Sequence, residues 1–143
     1  MANYIQNYNN ISSNIKVDMI ASDWNLMKDN KFFNSYKVEN FEIVNNHNFS
    51  MQSKTFDLIL GADILYEIEN YKTLIDLFDY YLTENGSAII ITKMYYYGNG
   101  GSLYEFQDYV DQSKLFTYKT LKIINNNSSN RREIILLERI QVP

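Results

Sequence analysis

Three places in the sequence combine side chains able to hold or activate a small polar ligand. They are Asp23-Trp24, then Gly61-Ala62-Asp63 with Tyr66, and Lys93 with the turn from Tyr96 to Gly101. A carboxylate accepts a proton or a hydrogen bond, an indole or phenol ring offers an apolar face, and a small residue lets a ligand approach the main chain. Other chemistries are excluded by residue type. With no cysteine there is no disulfide framework, thiolate metal site or cysteine nucleophile. His47 is the single histidine and stands in a polar, Asn-rich stretch, so it completes neither a metal site nor a catalytic triad. Gly98 to Gly101 resembles half of a phosphate loop but lacks the full glycine spacing and the Lys-Ser or Lys-Thr that follows it.

Each of the three places falls at the end of a strand-like run, and ligands of open parallel sheets bind at the carboxyl edge of the strands. Ile15, Val17, Met19 and Ala21 alternate as one face of a strand that ends at Asp23-Trp24. Phe56 to Leu60 is apolar apart from Asp57, as expected of a parallel strand covered on both faces, and it stops at Gly61. From Ile68, the positions Tyr71, Leu74, Ile75, Phe78, Tyr81 and Leu82 form one helical stripe, with Asn85-Gly86 as the expected stop. Ala88 to Thr92 supplies the next strand, so the segment reads as a parallel strand-helix-strand crossover.

Ser102 and Glu105 have capping-box spacing before a helix carrying Leu103, Phe106 and Val110. Phe116 to Ile124 and Glu133 to Ile140 read as an antiparallel hairpin, with Arg131-Arg132 at its solvated end. Near the start, Tyr4, Ile5, Tyr8 and Ile11 repeat at helical spacing. Residues 25 to 54 are expected to form an Asn-rich surface excursion holding one short strand.

The chain has 143 residues, which suits one α/β domain with its own core. A hydrophobic fraction of 45% and a charged fraction of 21% are those of a globular protein. The net charge of -4 argues against a nucleic-acid partner, since phosphate binding depends on clustered Lys and Arg. The apolar runs fall well short of the ~20 residues that cross a bilayer, and the start has no secretory signal pattern. A protein or small-molecule partner, no membrane, and a cytoplasmic location that extends to the nucleus are the expectations.

The motif FDLILGADILY resembles the fourth-strand signature of the lysine-methyltransferase-like branch of seven-strand methyltransferases, in which an acidic residue is followed three positions later by Tyr. Asp63 and Tyr66 occupy those places. SDW resembles the Asp-Trp pair of the same branch, matched by Asp23 and Trp24. TKMYYYGNGGSLYEFQDYV is similar to the histidine protein methyltransferases in Lys93, Tyr96, Tyr97, Gly98, Gly100, Gly101, Phe106 and Gln107, and FTYKTLKIINN with RREIILLE resembles their closing hairpin. The resemblance covers roughly 56 to 140 well and 3 to 24 loosely. The Lys93 to Gln107 stretch puts histidine ahead of lysine as the acceptor that the resemblance implies, while Asp63 departs from it: the histidine subgroup usually carries Glu there, and Asp is commoner in the lysine-modifying relatives.

The resemblance implies an incomplete Rossmann-like methyltransferase fold using S-adenosylmethionine on a protein substrate. It implies adenine contacts for Asp23 and Trp24, close backbone approach at Gly61 and Ala62, and acceptor-side roles for Asp63, Tyr66 and Tyr96. The class's GxGxG turn and its acidic second strand end are not in the sequence. We therefore expect the first two strands of the sheet to be missing, Phe56 to Leu60 to form an exposed edge, and the chain to be an inactive fragment. Direct pairing of the 15 to 21 strand with 56 to 60, or completion by a partner chain, are the other ways to resolve that edge, and a non-catalytic protein-binding module is the alternative function.

Overall fold

A computed structural model describes residues 18–21, 23–27, 34–39, 42–45, 51–125 and 131–141. His47 and the helical spacing from Tyr4 to Ile11 lie outside these residues. Among them the first elements are strand β1 (Asp18–Ala21), the single helical turn α1 (Trp24–Met27), and strands β2 (Asn34–Glu39) and β3 (Glu42–Asn45). The three strands form an antiparallel sheet in the order β1-β2-β3, with Asp18 opposite Lys37 and Glu39 opposite Glu42. Residues 25 to 54 thus hold two strands where one was expected. Their apolar positions, Tyr36, Val38, Ile43 and Val44, are diluted by Asn, Lys and Glu, so the alternation that marks a half-buried strand is faint.

The larger unit begins with β4 (Phe56–Ala62), a short 3-10 turn (Ile68–Asn70), α2 (Tyr71–Tyr81) and β5 (Leu82–Lys93). It continues through α3 (Leu103–Ser113) and the hairpin of β6 (Phe116–Ile124) and β7 (Arg132–Arg139). These four strands form a mixed sheet in the order β4-β5-β7-β6. β4 and β5 are parallel, as the strand-helix-strand pattern requires, whereas β7 lies antiparallel to both β5 and β6. A parallel and antiparallel sheet with its associated helices is compatible with part of a seven-strand Rossmann-like methyltransferase fold. β4 is the edge strand; among the described residues it pairs with β5 alone, and β1 pairs elsewhere.

The helix stops earlier than its glycine suggested. α2 ends at Tyr81 and Leu82 is already extended. Tyr81 and Leu82 are both buried, and two adjacent buried positions are met by switching from helix to strand. Asn85-Gly86 lies instead in an irregular start of β5, where the register moves from Phe56 opposite Leu82 to Leu58 opposite Ser87.

Arg139 anchors this junction from β7. Its guanidinium donates to Asp79 Oδ1 at 2.6 Å and to the carbonyls of Leu82 and Thr83 at 3.1 Å each, and it lies 5.2 Å from the Phe116 ring centroid. A cation at the end of α2 thereby takes up carbonyls around the helix terminus.

The core lies on one face of the sheet. Leu74, Ile75 and Phe78 of α2 and Leu103, Phe106 and Val110 of α3 pack on Ala88, Ile90, Ile135 and Leu137. Ser102 caps α3 by accepting from the Glu105 N–H at 3.2 Å, and its hydroxyl donates to the Glu105 carboxylate at 2.8 Å. This departs from the reciprocal capping box, because the Ser102 N–H goes to the Tyr71 hydroxyl instead. Among the described residues, no helix is long and apolar enough to cross a membrane and no three side chains cluster as a metal site.

Candidate active site

β4 and β5 end side by side, and the chain leaves β4 through a sharp turn. Asp63 sits at φ 51°, a left-handed conformation that is uncommon outside glycine but that aspartate tolerates. Its N–H still reaches the Ile91 carbonyl at 2.9 Å, so the ladder holds up to the bend. From there the Asp63 carboxylate meets the turn that follows β5.

Tyr96 on that turn donates to Asp63 Oδ1 at 2.8 Å. Its oxygen lies 2.9 Å from Thr92 Oγ1 and accepts from the Lys93 N–H at 3.3 Å. Because Tyr96 has one proton and Asp63 takes it, the Thr92 hydroxyl is left to donate to Tyr96. Burial pushes the Tyr96 phenol above its ordinary value; the Thr92 hydroxyl and the Lys93 N–H pull it down, the Asp63 acceptor pushes it up, and the net direction is a rise. Tyr96 is therefore a lasting donor that holds one oxygen of Asp63 in place. The Lys93 ammonium lies 5.3 Å from the Tyr96 ring centroid, and Arg132 approaches Asp63 Oδ2 to 3.9 Å.

The aromatic turn is closed by Gly98 and Gly100 at positive φ. Gly101 touches the β4 side directly: a Cβ there would fall 2.2 Å from the Leu65 carbonyl oxygen. No other residue type fits that contact.

Trp24 and Tyr66 form a second group. Their ring centroids are 6.4 Å apart at 59°, with Trp24 half-buried and Tyr66 exposed. α1 reaches this position through Thr73, whose hydroxyl donates to the Asn25 side chain at 2.9 Å, and through Tyr81, whose hydroxyl donates to the Met27 carbonyl. Asp23 accepts from the Asn25 N–H at 2.8 Å and the Asn25 amide at 3.1 Å, the geometry of a residue capping α1.

The expected residues are thus gathered as two groups, Asp63 with Tyr96 and Trp24 with Tyr66, joined through the four-residue path from Asp63 to Tyr66. Ala62 is exposed beside them. The space that Gly61 leaves is occupied by Ile64, whose Cδ1 would lie 2.6 Å from an added Cβ. Gln107 lines a shallow groove with Asp111, Lys114 and Ile140 that shares no residue with either group.

Three contributors escaped the sequence reading. Thr92 passed as the last residue of an apolar strand, and its complete burial was the missing signal, since a buried hydroxyl needs a partner. Tyr71 passed as one position of a helical stripe. Arg132 passed as a solvated hairpin end, yet the antiparallel pairing of Lys93 with Arg132 brings it to the carboxyl edge of β5.

No family model matches the chain. It is 32% identical over 85 residues to a Dictyostelium discoideum protein named Histidine protein methyltransferase 1 homolog, covering 59% of this chain and 28% of that protein. It is 33% identical over 70 residues to the Mus musculus protein of the same name, and 34% identical over 70 residues to that of Bos taurus, each match covering 49% of this chain and 19% of the relative. The chain spans less than a third of the length of these curated relatives. Over the matched residues the chain is thus similar to proteins of that name.

Proposed function

We propose that the chain forms the acceptor side of an S-adenosylmethionine-dependent protein N-methyltransferase that modifies a histidine side chain, with lysine as the second choice. The observation that carries this reading is the Asp63–Tyr96 pair at 2.8 Å, where the carboxyl ends of two parallel strands meet. Similarity to proteins named as histidine protein methyltransferases supports the direction of the chemistry.

S-adenosylmethionine supplies a methyl group already activated on a sulfonium. The protein's work is therefore alignment and the handling of one proton. In our reading Asp63, with one oxygen engaged by Tyr96, accepts the N–H of the substrate imidazole on its other oxygen. That fixes the tautomer and leaves the remaining ring nitrogen as nucleophile. Tyr66 presents a ring to the acceptor and to the positive charge of the cofactor.

The residues present fit part of the cofactor. The half-buried Trp24 ring suits adenine and exposed Ala62 leaves room along the strand end, whereas Asp23 is engaged in capping α1 and Gly61 is filled by Ile64. The sequence holds no GxGxG turn for the methionine part. We therefore propose that these 143 residues do not turn over alone, and that the complete activity, in the cytoplasm or nucleus, draws on further sequence.

The exposed edge of β4, where Leu60 is 71% exposed, favours a second reading as a non-catalytic module that binds a partner protein through that edge. Calorimetric titration with S-adenosylmethionine separates the two. Weak, saturable binding that is lost in Trp24→Ala supports the first reading. No binding by a folded chain supports the second, and unchanged affinity in Trp24→Ala removes the adenine role.

A further inference from the structure

Tyr71 is fully buried at the start of α2, and its hydroxyl sits between the two strand-end segments of the candidate site. It accepts from the Ser102 N–H at 2.8 Å and lies within donating distance of the Leu65 carbonyl at 2.9 Å and the Ser102 carbonyl at 3.0 Å. A phenol has one proton and two lone pairs, so this one atom serves both sides at once. Phe106 and Tyr109 meet its ring edge-on, with centroids 5.3 and 5.6 Å away, which fixes where the hydroxyl points. We infer that Tyr71 is a positioning residue for the site: its hydroxyl pins the Asp63–Tyr66 loop to the end of the aromatic turn and so holds Tyr66 and Tyr96 in register.

The inference rests on the proposed function only for the reaction that the pinned site serves. Its geometric basis is independent of that reading. Gly101 touches the Leu65 and Tyr66 backbone, and the pin lies at this point of contact. On one side, Tyr66 directly follows the bonded Leu65 carbonyl and carries its ring to Trp24. On the other, the Gly101 carbonyl accepts from the Tyr96 N–H at 2.8 Å, and Tyr96 holds Asp63. No water replaces a partner lost at a fully buried atom, so removing the hydroxyl strands the Ser102 N–H and frees the Leu65 carbonyl. Burial raises the phenol to about 12, which keeps its proton in place through the physiological range.

The test uses the full chain. Tyr71→Phe keeps the ring and removes the hydroxyl alone, and Tyr109→Phe serves as the control, since that ring packs on Tyr71 without joining the pin. Amide hydrogen exchange and the emission of Trp24, the sole tryptophan, are the readouts. Positioning predicts that exchange at Ser102, whose N–H is bonded to the Tyr71 hydroxyl, rises by at least about tenfold and that Trp24 emission shifts, while the β5–β7 amides of Ile89 and Leu136 stay as they were. A hydroxyl that only stabilises the fold would accelerate all these amides together with no separate Trp24 signature, and that outcome overturns the inference. So does unchanged exchange at Ser102.

Should Tyr71→Phe not fold, exchange in the unaltered chain is the second measurement: the pin predicts that the Ser102 N–H, bonded to the Tyr71 hydroxyl at 2.8 Å, exchanges at least about tenfold more slowly than an unbonded amide, and unprotected exchange at Ser102 overturns the inference. None of these measurements uses the cofactor, so their failure is distinct from a failed S-adenosylmethionine titration.

Discussion

On one face of the four-stranded sheet Ile90, Ile135 and Leu137 are completely buried under α2 and α3, while on the opposite face Leu58 and Leu60 are 49% and 71% exposed. Along β5 the two faces alternate residue by residue, Ala88, Ile90 and Thr92 buried and Ile89 and Ile91 only partly so. Residue type is the same on both sides. What differs is the presence of a helix, and no described helix lies against the side of Leu58, Leu60, Ile89, Ile91, Ile134 and Leu136. The stability of this unit therefore resides in one face, and the candidate site is suspended from it by polar contacts at the strand ends.

The largest effects should come from the covered face. Phe106→Ala removes a fully buried ring and is expected to cost about 3–5 kcal/mol in urea unfolding. Ile90→Ala is expected to follow at about 2–5 kcal/mol. If either cost no more than Leu60→Ala, the contrast between the faces would be wrong.

Arg139 tests whether that face depends on its rim. Replacing it with Met removes the donor to Asp79 and to the carbonyls at the end of α2, for an expected loss of about 1–3 kcal/mol. Burial alone would raise the Asp79 pKa, but the Arg139 hydrogen bond and the charge of Lys54 outweigh it and hold the carboxyl below its ordinary value. With a depressed folded pKa, the pair's contribution is fully present above the ordinary carboxylate range and is lost as pH falls through the folded value. Asp79→Asn should thus destabilise at neutral pH, and its gap from the parent should close in acid. A gap that widened in acid would reverse the sign of the argument.

Ser102→Ala removes the cap of α3 and should cost about 1 kcal/mol. Smallest of all, Leu60→Ala should stay within about 0.5 kcal/mol while reducing self-association, because it lowers the apolar exposure of an edge strand. Light scattering across a concentration series measures that second effect, and an unchanged or stronger tendency to associate would contradict it.

Much of the larger unit was legible because its patterns are local. The stripe from Tyr71 to Tyr81, the apolar run at Ala88 to Thr92 and the Ser102-Glu105 spacing each need only a few residues to declare themselves. The residue pattern of Phe56 to Leu60 read as a strand covered on both faces, yet Leu58 and Leu60 are exposed; the exposed edge was foreseen only through the resemblance, whose sheet order leaves its neighbouring strands missing. Asn85-Gly86 misled because its glycine serves a close approach to the Phe56 carbonyl, 2.8 Å from where a Cβ would be, and not the end of the helix.

The site divides along the same line. Asp63 and Tyr96 were each visible as strand-end residues, but their bond joins positions 33 apart, and pairing at that range depends on the parallel register of β4 and β5. Tyr71 and Thr92 were hidden by their surroundings: a hydroxyl inside an apolar stripe reads as core until its partner, 31 residues from Tyr71, is placed beside it. In the small sheet β1 was legible from the alternation that reaches Met19 and Ala21, whereas β2 and β3 were the least legible, lacking the sustained alternation that overrides polar neighbours.

The central claim is that Asp63, held by Tyr96 at the end of β4, serves a nitrogen acceptor in methyl transfer. Its most direct test is a chimera in which residues 56–141 replace the corresponding segment of the Dictyostelium protein. Histidine methylation of a protein acceptor by that chimera would be read by mass spectrometry, alongside Asp63→Asn. We expect the chimera to transfer methyl and the Asp63→Asn form to bind S-adenosylmethionine equally well, yet to lose activity by on the order of 100-fold or more, the scale of a lost proton acceptor. A folded, cofactor-binding chimera that transfers methyl equally well with asparagine at that position would contradict the account.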